Sequence, residues 1–431
     1  MKICSAVEAA AHLKPIDTLA LPLGPGVPSA FVDALGERDD WRGLTVFAAL
    51  LTQPHRLFTR PGVRLLSGFF GPVERALRAA GHDVHFVPGD FRRFAKIAHG
   101  LAPRVMATSV APAGEGGRMS LSLHAGAMVA ELHRCGADPE RLLVVEASPR
   151  FPRTLGLPPE HPHALEPSEI DLLVPSDRAP LELPDEAANE VTAAIAEHAL
   201  RFIPDAATLQ TGIGGIPSQV VARLAARPGG DYGVHSEMFT TGLMRLHQAG
   251  KLSNRRKGLF EGFSVVTFAM GTRELYDWLE GRDDVRFLPV DVVNDPTTIG
   301  RNQRMISLNG ALEVDLQGQV VADTIRGAQY SGIGGHEDFV SGAALGDDDR
   351  SLLCLPSTSI VAGRRVSRIL RTLAPGSIVT TPRHQVDVIV TEFGAAELGG
   401  RTVEERAARL VAIAHPDFRA ELSEGLGERS R

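Results

Sequence analysis

Lysine, cysteine and aromatic residues are scarce in this chain. Only five of its 45 basic residues are lysine. That bias reads first as base composition and only weakly as anion binding. Acidic residues number 52 and the formal net charge is -7, so the bulk basic footprint of a nucleic-acid binder is missing. The three cysteines, Cys4, Cys135 and Cys354, lie far apart and follow no metal-ligand spacing. They argue against a disulfide scaffold and fit a reducing compartment. No apolar run approaches the roughly 20 residues of a membrane span, and "MKICSAVEAAAHLKP" lacks the long apolar core of a secretory signal. The expectation is a soluble cytoplasmic protein with no membrane or nucleic-acid partner. Also missing are a Walker loop, a strict GxGxxG, a GxSxG elbow and a Cys–His pair in a recognisable setting.

What is present is ordinary globular composition, 43% hydrophobic and 23% charged, over 431 residues, which is long for one core. Short apolar runs such as "RLLVVEAS", "FSVVTFAM" and "VDVIVTEFG" alternate with helical patterns such as "AGAMVAELHRCG" and "TVEERAARLVAIAHP". That alternation predicts an α/β fold with mainly parallel sheets flanked by helices. Seven prolines between residues 155 and 184 suit neither helix nor central-strand interiors. The connection between an N-terminal domain, 1–184, and a C-terminal domain, 185–431, is placed there. A polar helix over roughly 185–202 opens the second half.

The halves resemble each other. "LALPLGPGVPSAFVDAL" (Leu19–Leu35) is similar to "ATLQTGIGGIPSQVVARL" (Ala207–Leu224), each a strand, a glycine turn and Pro-Ser opening a helix, where a proline costs no intrahelical bond. "DVHFVPGDF" from Asp83 matches "DVRFLPVDV" from Asp284, and Gly117 of "EGGRMS" matches Gly318 of "LQGQVV". The last two offsets agree: 284 − 83 = 201 and 318 − 117 = 201. A duplicated α/β domain is expected.

One residue breaks the symmetry. "YGVHSEM" (Tyr232–Met238) reads as a strand ending in Glu237, while its counterpart by position, "GLTVFAAL" (Gly43–Leu50), has no carboxylate. A duplicated fold does not need Glu237, so it reads as an addition for chemistry. The other reading is a surface glutamate favoured by a helix N-terminus, and both stand here. Glu392 in "VTEFG" also ends a strand and competes for the same role.

Two glycine loops accompany it. "QTGIGGIP" (Gln210–Pro217) holds Gly212, Ile213, Gly214 and Gly215 between a strand and a helix, where backbone comes close to a ligand and anions are favoured, unless the glycines only make a tight turn. "SGIGGHEDF" (Ser331–Phe339) holds Gly332, Gly334 and Gly335, whose N–H groups are candidate oxyanion donors. His336 and Asp338 after them are functional or cap a helix. Asn309 in "SLNGALEVDLQG" is a candidate polar group or a turn residue. The histidines of "EHPH" (Glu160–His163) lie in the proline-rich stretch, and no metal site is expected there.

The blocks "LQTGIGGIP", "GVHSEM", "SLNGALEVDLQGQV", "SGIGGHEDF", "SRIL", "VTEFGAAEL" and "IAHPDFR" together resemble the acetyl-CoA hydrolase/transferase family, closest to its 4-hydroxybutyrate CoA-transferase branch. The resemblance is strong from about Gln210 to Arg419 and looser through the first half. It implies two related CoA-transferase-type domains and a nucleophilic glutamate at Glu237, in the C-terminal domain. It also implies a CoA and acyl site drawn from Gln210, Gly212, Ile213, Gly214, Gly215, Asn309, Gly332, Gly334, Gly335, His336, Asp338 and Arg368. The implied reaction moves CoA between an acyl-CoA and a short-chain carboxylate through a covalent glutamyl-CoA thioester. Coenzyme A is then a substrate, no tightly bound cofactor or metal is expected, and the chain assembles as a homodimer or homotetramer. Three departures are visible: His336 stands where the family more often has Gln, Leu23 where relatives carry His in a His-Ala-Cys loop, and the lysine near "SRI" is absent, Arg364 or Arg365 standing close by. An acyl-CoA hydrolase and a non-catalytic acyl-CoA-binding protein are the alternatives. His235 is expected on the face of the strand opposite Glu237, which requires the chain to turn at Ser236.

Overall fold

Runs of four to seven residues rich in Val, Leu and Ile make the long strands, and the segments between them wind into helices. In the computed structural model, residues 1–184 and 186–424 are described. They form two units. Of the described residues, the first comprises Met1–Pro184, Glu237–Thr241 and Phe263–Asn294; the second comprises residues 186–236, 242–262 and 295–424.

The first unit is built on an eight-stranded sheet in the order Lys2–Ile3, Leu172–Pro175, Leu142–Ala147, Val105–Val110, Ile16–Ala20, Gly43–Ala48, Val63–Ser67, Val84–Phe86. Every pairing in it is parallel. Val105–Val110 is buried along its whole length, as a strand covered on both faces must be. Helix Ser29–Glu37 presses Phe31, Val32 and Leu35 onto the sheet.

In the second unit Thr208–Thr211 lies between Gly233–Phe239 and Met305–Gly310, all parallel. Arg350–Cys354 and Val388–Thr391 extend the sheet in parallel, and Gly394–Glu397 closes it antiparallel. Alternation along the strands feeds two cores. Leu352 and Val388 pack with helices Glu190–Ala199 and Gly215–Ala226. Leu353 and Ile389 pack with helix Val403–Ala412.

The topology repeats. In each half the first long strand is flanked by the next strand in the chain on one side and by a later strand on the other, as Ile16–Ala20 is by Gly43–Ala48 and Val105–Val110. Gly117 and Gly318 both take positive φ, 81° and 90°, and each precedes a two-residue strand.

Three expectations shift. The proline-rich stretch is not all connector: Leu172–Pro175 is an inner strand of the first sheet, with Pro175 at its last position. The units do not follow residues 1–184 and 185–431, because the chain returns to the first unit twice. Backbone bonds explain the longer return: Ala125 N–H donates to Thr267 O and Val290 N–H to Gly126 O, while Leu183 N–H donates to Gly271 O. The strand carrying Glu237 does not end there either, but runs on through Met238 to Phe239.

Candidate active site

Strand Gly233–Phe239 is clamped before it presents its carboxylate. Asn254 Oδ1 accepts from Val234 N at 2.8 Å, and Lys257 Nζ donates to Val234 O at 2.7 Å. Lys257 is wholly buried, and burial brings its ammonium down to about 7. Ser236 Oγ donates to Thr211 O at 3.1 Å, which extends the pairing beyond the Thr208–Leu209 ladder. His235 is fully buried, its ring stacked on Phe260 at 6.4 Å and tilted against Phe339 at 6.3 Å.

Glu237 follows as a half-buried residue and falls in the first unit. Asn294 Nδ2 donates to its Oε2 at 2.9 Å. Asn294 is completely buried and ends the short helix Val290–Val293, its N–H donating to Val290 O at 2.8 Å. Two residues beyond Glu237, Phe239 stacks on Trp278 at 5.8 Å. The carboxylate thus sits on a stiff strand with one oxygen aimed by a rigid amide. The next helix opens only at Thr241, so the macrodipole explanation weakens, since that field fades within a turn. The turn expected at Ser236 is absent, and alternation therefore does not separate His235 from Glu237 onto opposite faces.

Glu392 is differently placed. It accepts from Ser357 N at 2.8 Å and Ser357 Oγ at 2.6 Å, the pattern of a carboxylate that fixes a loop.

In the second unit Gln210 and Asn309 come together. Gln210 Oε1 accepts from Ser307 Oγ at 2.8 Å, Leu308 N at 3.1 Å and Asn309 Nδ2 at 3.3 Å. Asn309 is no turn residue; it pairs with Leu353 inside the sheet. After Gln210 the first glycine loop opens. Gly214 has φ 120°, a conformation that other residues rarely adopt, and a Cβ on Gly212 would meet open space. Ile213 is 45% exposed. The amide of Gly215, first residue of the 12-residue helix Gly215–Ala226, already donates to Glu186 Oε2 at 2.7 Å.

The second loop ends on Gly335, the N-cap of helix His336–Gly342, with no side-chain cap. Gly334 has φ 54°, whereas Gly335 has an ordinary φ of -91°. His336 lies behind the loop, its Nε2 2.8 Å from Thr381 Oγ1, which donates to Glu337 Oε1 at 2.5 Å. Burial drives its imidazole down to about 4, so the ring is neutral at pH 7. Asp338 is buried in the same helix. Arg368 is half-buried, and burial lowers its guanidinium despite the nearby carboxylates of Glu313 and Glu392. It makes no ion pair among the described residues. In the first unit Leu23 is buried and caps the turn Gly24–Gly26. Among the described residues no group of three or more His, Cys, Asp or Glu is placed to hold a metal, and no helix is long and apolar enough to cross a membrane.

The family model for the acetyl-CoA hydrolase/transferase C-terminal domain matches residues 271–426. That range includes Asn309, the second glycine loop, His336, Asp338 and Arg368, and stops short of Glu237 and Gln210. Over its whole length the chain is 35% identical to the succinyl-CoA:cyclohexane-1-carboxylate CoA transferase of Geobacter metallireducens, covering 96% of that protein. The chain belongs to the acetyl-CoA hydrolase/transferase family. Within the family it is also 42% identical, over 66% of its length and 65% of the relative's, to the 4-hydroxybutyrate coenzyme A transferase of Clostridium kluyveri. The crystal structure of RipA from Yersinia pestis superposes on it with a TM-score of 0.90 at 31% identity, covering 100% of this chain and 98% of that one. The chain is an enzyme of this family, whose similar members named here are CoA transferases. Sequence reasoning missed Asn294, Lys257 and the Ser357–Glu392 contact. The signal for Asn294 was present in "DVVNDP", a polar amide closing an apolar run before Asp-Pro.

Proposed function

We propose that this enzyme moves CoA between an acyl-CoA and a short-chain carboxylic acid, with Glu237 as the covalent nucleophile. The observation that carries the reading is the contrast between two carboxylates. Glu237 is held on a stiff strand by the buried amide of Asn294, whereas Glu392 is consumed by Ser357. Glu237 attacks the thioester carbonyl and expels CoA thiolate, leaving a mixed anhydride. The thiolate attacks the glutamyl carbonyl, forming glutamyl-CoA thioester and releasing the first acid. A second carboxylate attacks that thioester, and the two steps run in reverse to give the new acyl-CoA and free Glu237. A serine nucleophile would form an ester and discard the activation that an anhydride keeps.

In this proposal the CoA and acyl contacts come from the two glycine loops and the polar side chains beside them. Gln210 and the amides of Gly334 and Gly335 act as oxyanion donors, with Gly212, Ile213, Gly214, Gly215, Asn309 and Gly332 shaping the backbone. His336 and Asp338 hold the second loop from behind. Arg368, a half-buried cation with no ion pair among the described residues, takes an anionic group of the substrate. The working form is a homo-oligomer.

Incubation with acyl-CoA, trapping with hydroxylamine or borohydride and peptide mass spectrometry should find one modified glutamate, Glu237. Glu237→Ala should lower turnover by several orders of magnitude, because the covalent route is lost. A label on Glu392 would overturn the assignment.

A further inference from the structure

A groove of about 870 Å³ opens in the first unit beside the proline-rich hairpin, far larger than a single inorganic ion needs and within the roughly 300–1,000 Å³ of sites for small organic ligands. Three guanidiniums line it: Arg118, Arg153 and Arg286. Arg118 pairs with Glu166 at 2.6 Å. Arg153 and Arg286 have no ion pair among the described residues. Arg286 lies 4.7 Å over the ring of Phe263, and its Nε is buried with no acceptor. Burial lowers its guanidinium, outweighing the carboxylates of Asp283 and Asp284. Arg153 is held against the backbone: a Cβ on Gly114 would lie 2.8 Å from its Cζ. The floor is rigid, since Ser120 Oγ donates to Thr154 O at 2.8 Å. Leu155, Leu157 and Pro159 make the rest of the wall apolar.

Arg153 is exposed and Arg286 half-buried, and the guanidinium fork suits phosphate oxygens. Two of them beside an apolar wall select a ligand with adjacent phosphates and a flat, weakly polar body. We propose that this groove binds a nucleoside diphosphate, at a site separate from the one that takes CoA. No residue assigned to CoA transfer lines it, so the proposal stands whether or not Glu237 is the nucleophile.

Titration calorimetry on the full chain, with ADP and inorganic pyrophosphate as probes, tests this. Saturable ADP binding is expected, tighter than that of pyrophosphate because of the apolar wall, and unaffected by saturating CoA. Arg153→Glu and Arg286→Ala should each weaken it by about tenfold or more, with CoA transfer in the absence of ADP unchanged. Arg153→Glu serves if Arg286→Ala does not fold, since Arg153 lies on no helix or strand. Absence of ADP binding, equal affinity for pyrophosphate, insensitivity to the folded variants, or displacement of ADP by CoA would each overturn the proposal.

Discussion

At the scale of single residues, the contact that matters most was invisible in the chain order. Asn294 and Glu237 are 57 residues apart, yet an amide N–H reaches the carboxylate at 2.9 Å. A donor to a charged acceptor contributes roughly 1.5–3 kcal/mol, so Asn294→Ala should lower kcat/KM by about 10- to 100-fold. Asn294→Asp should do more. It sets a second carboxylate against Glu237, and like charges raise a carboxyl pKa, so the acid limb of the pH–rate profile should move upward. An unchanged profile in the Asp variant would mean that the contact does not bear on the reacting group. Three buried histidines make a separate prediction. Burial, foremost, depresses His124 to about 3, and His163 and His336 to about 4, from an ordinary 6.5. The folded protein therefore binds fewer protons than the unfolded chain between about pH 6.5 and 4. Stability should be full above that window and fall as pH drops through it. His163→Phe should flatten the slope by about 1.4 kcal/mol per pH unit in urea melts. The phenyl ring still stacks on Phe287, and Ser122 O still accepts from Thr154 Oγ1.

At the scale of elements, pattern carried most of the reading. "TLQT" and "IDTLA" are strands followed by glycine loops and helices, as expected, and both hold the same place in their sheets. Composition misled where tertiary pairing decided. Prolines crowd the region around Leu172–Pro175, yet the strand forms because Leu172 and Val174 find core on the first sheet. Glu237 sits mid-strand although glutamate disfavours strands, and Met238 and Phe239, both buried, carry the extension. The second glycine loop gives a test at this scale. Gly335 has an ordinary φ, so Gly335→Ala should fold with near-native stability. Alanine keeps the N–H at this position, so the informative variant is Gly335→Pro, which removes it: if the N–H stabilises an oxyanion, turnover should fall by about 10²- to 10³-fold. Gly334 has φ 54°, so Gly334→Ala should lose stability as well. Full turnover in a folded Gly335→Pro enzyme would remove the Gly335 N–H from the chemistry.

At the scale of the whole molecule, the two-fold repeat and the family were legible. The division into units was not, because segments 237–241 and 263–294 join the first unit through contacts that no local pattern encodes. The choice between transfer and hydrolysis also belongs to this scale. An expected argument for transfer, that His235 faces away from Glu237, fails because the strand does not turn at Ser236. A different one replaces it: His235 is sealed by Phe260 and Phe339 and has no exposed surface. A ring shut away from solvent is poorly placed to activate water. On the proposed covalent route, transfer depends on excluding water from the anhydride and thioester, not on lacking a base. The deciding assay supplies one acyl-CoA with and without acetate, butyrate or 4-hydroxybutyrate. Formation of a new acyl-CoA, with parallel lines in double-reciprocal plots, is expected of a covalent exchange. His235→Phe should leave that ratio of transfer to CoA release unchanged, because an aromatic of similar shape keeps the seal. Equal CoA release with or without acid would instead establish hydrolysis, and a fall in hydrolysis on His235→Phe would identify the ring as its base.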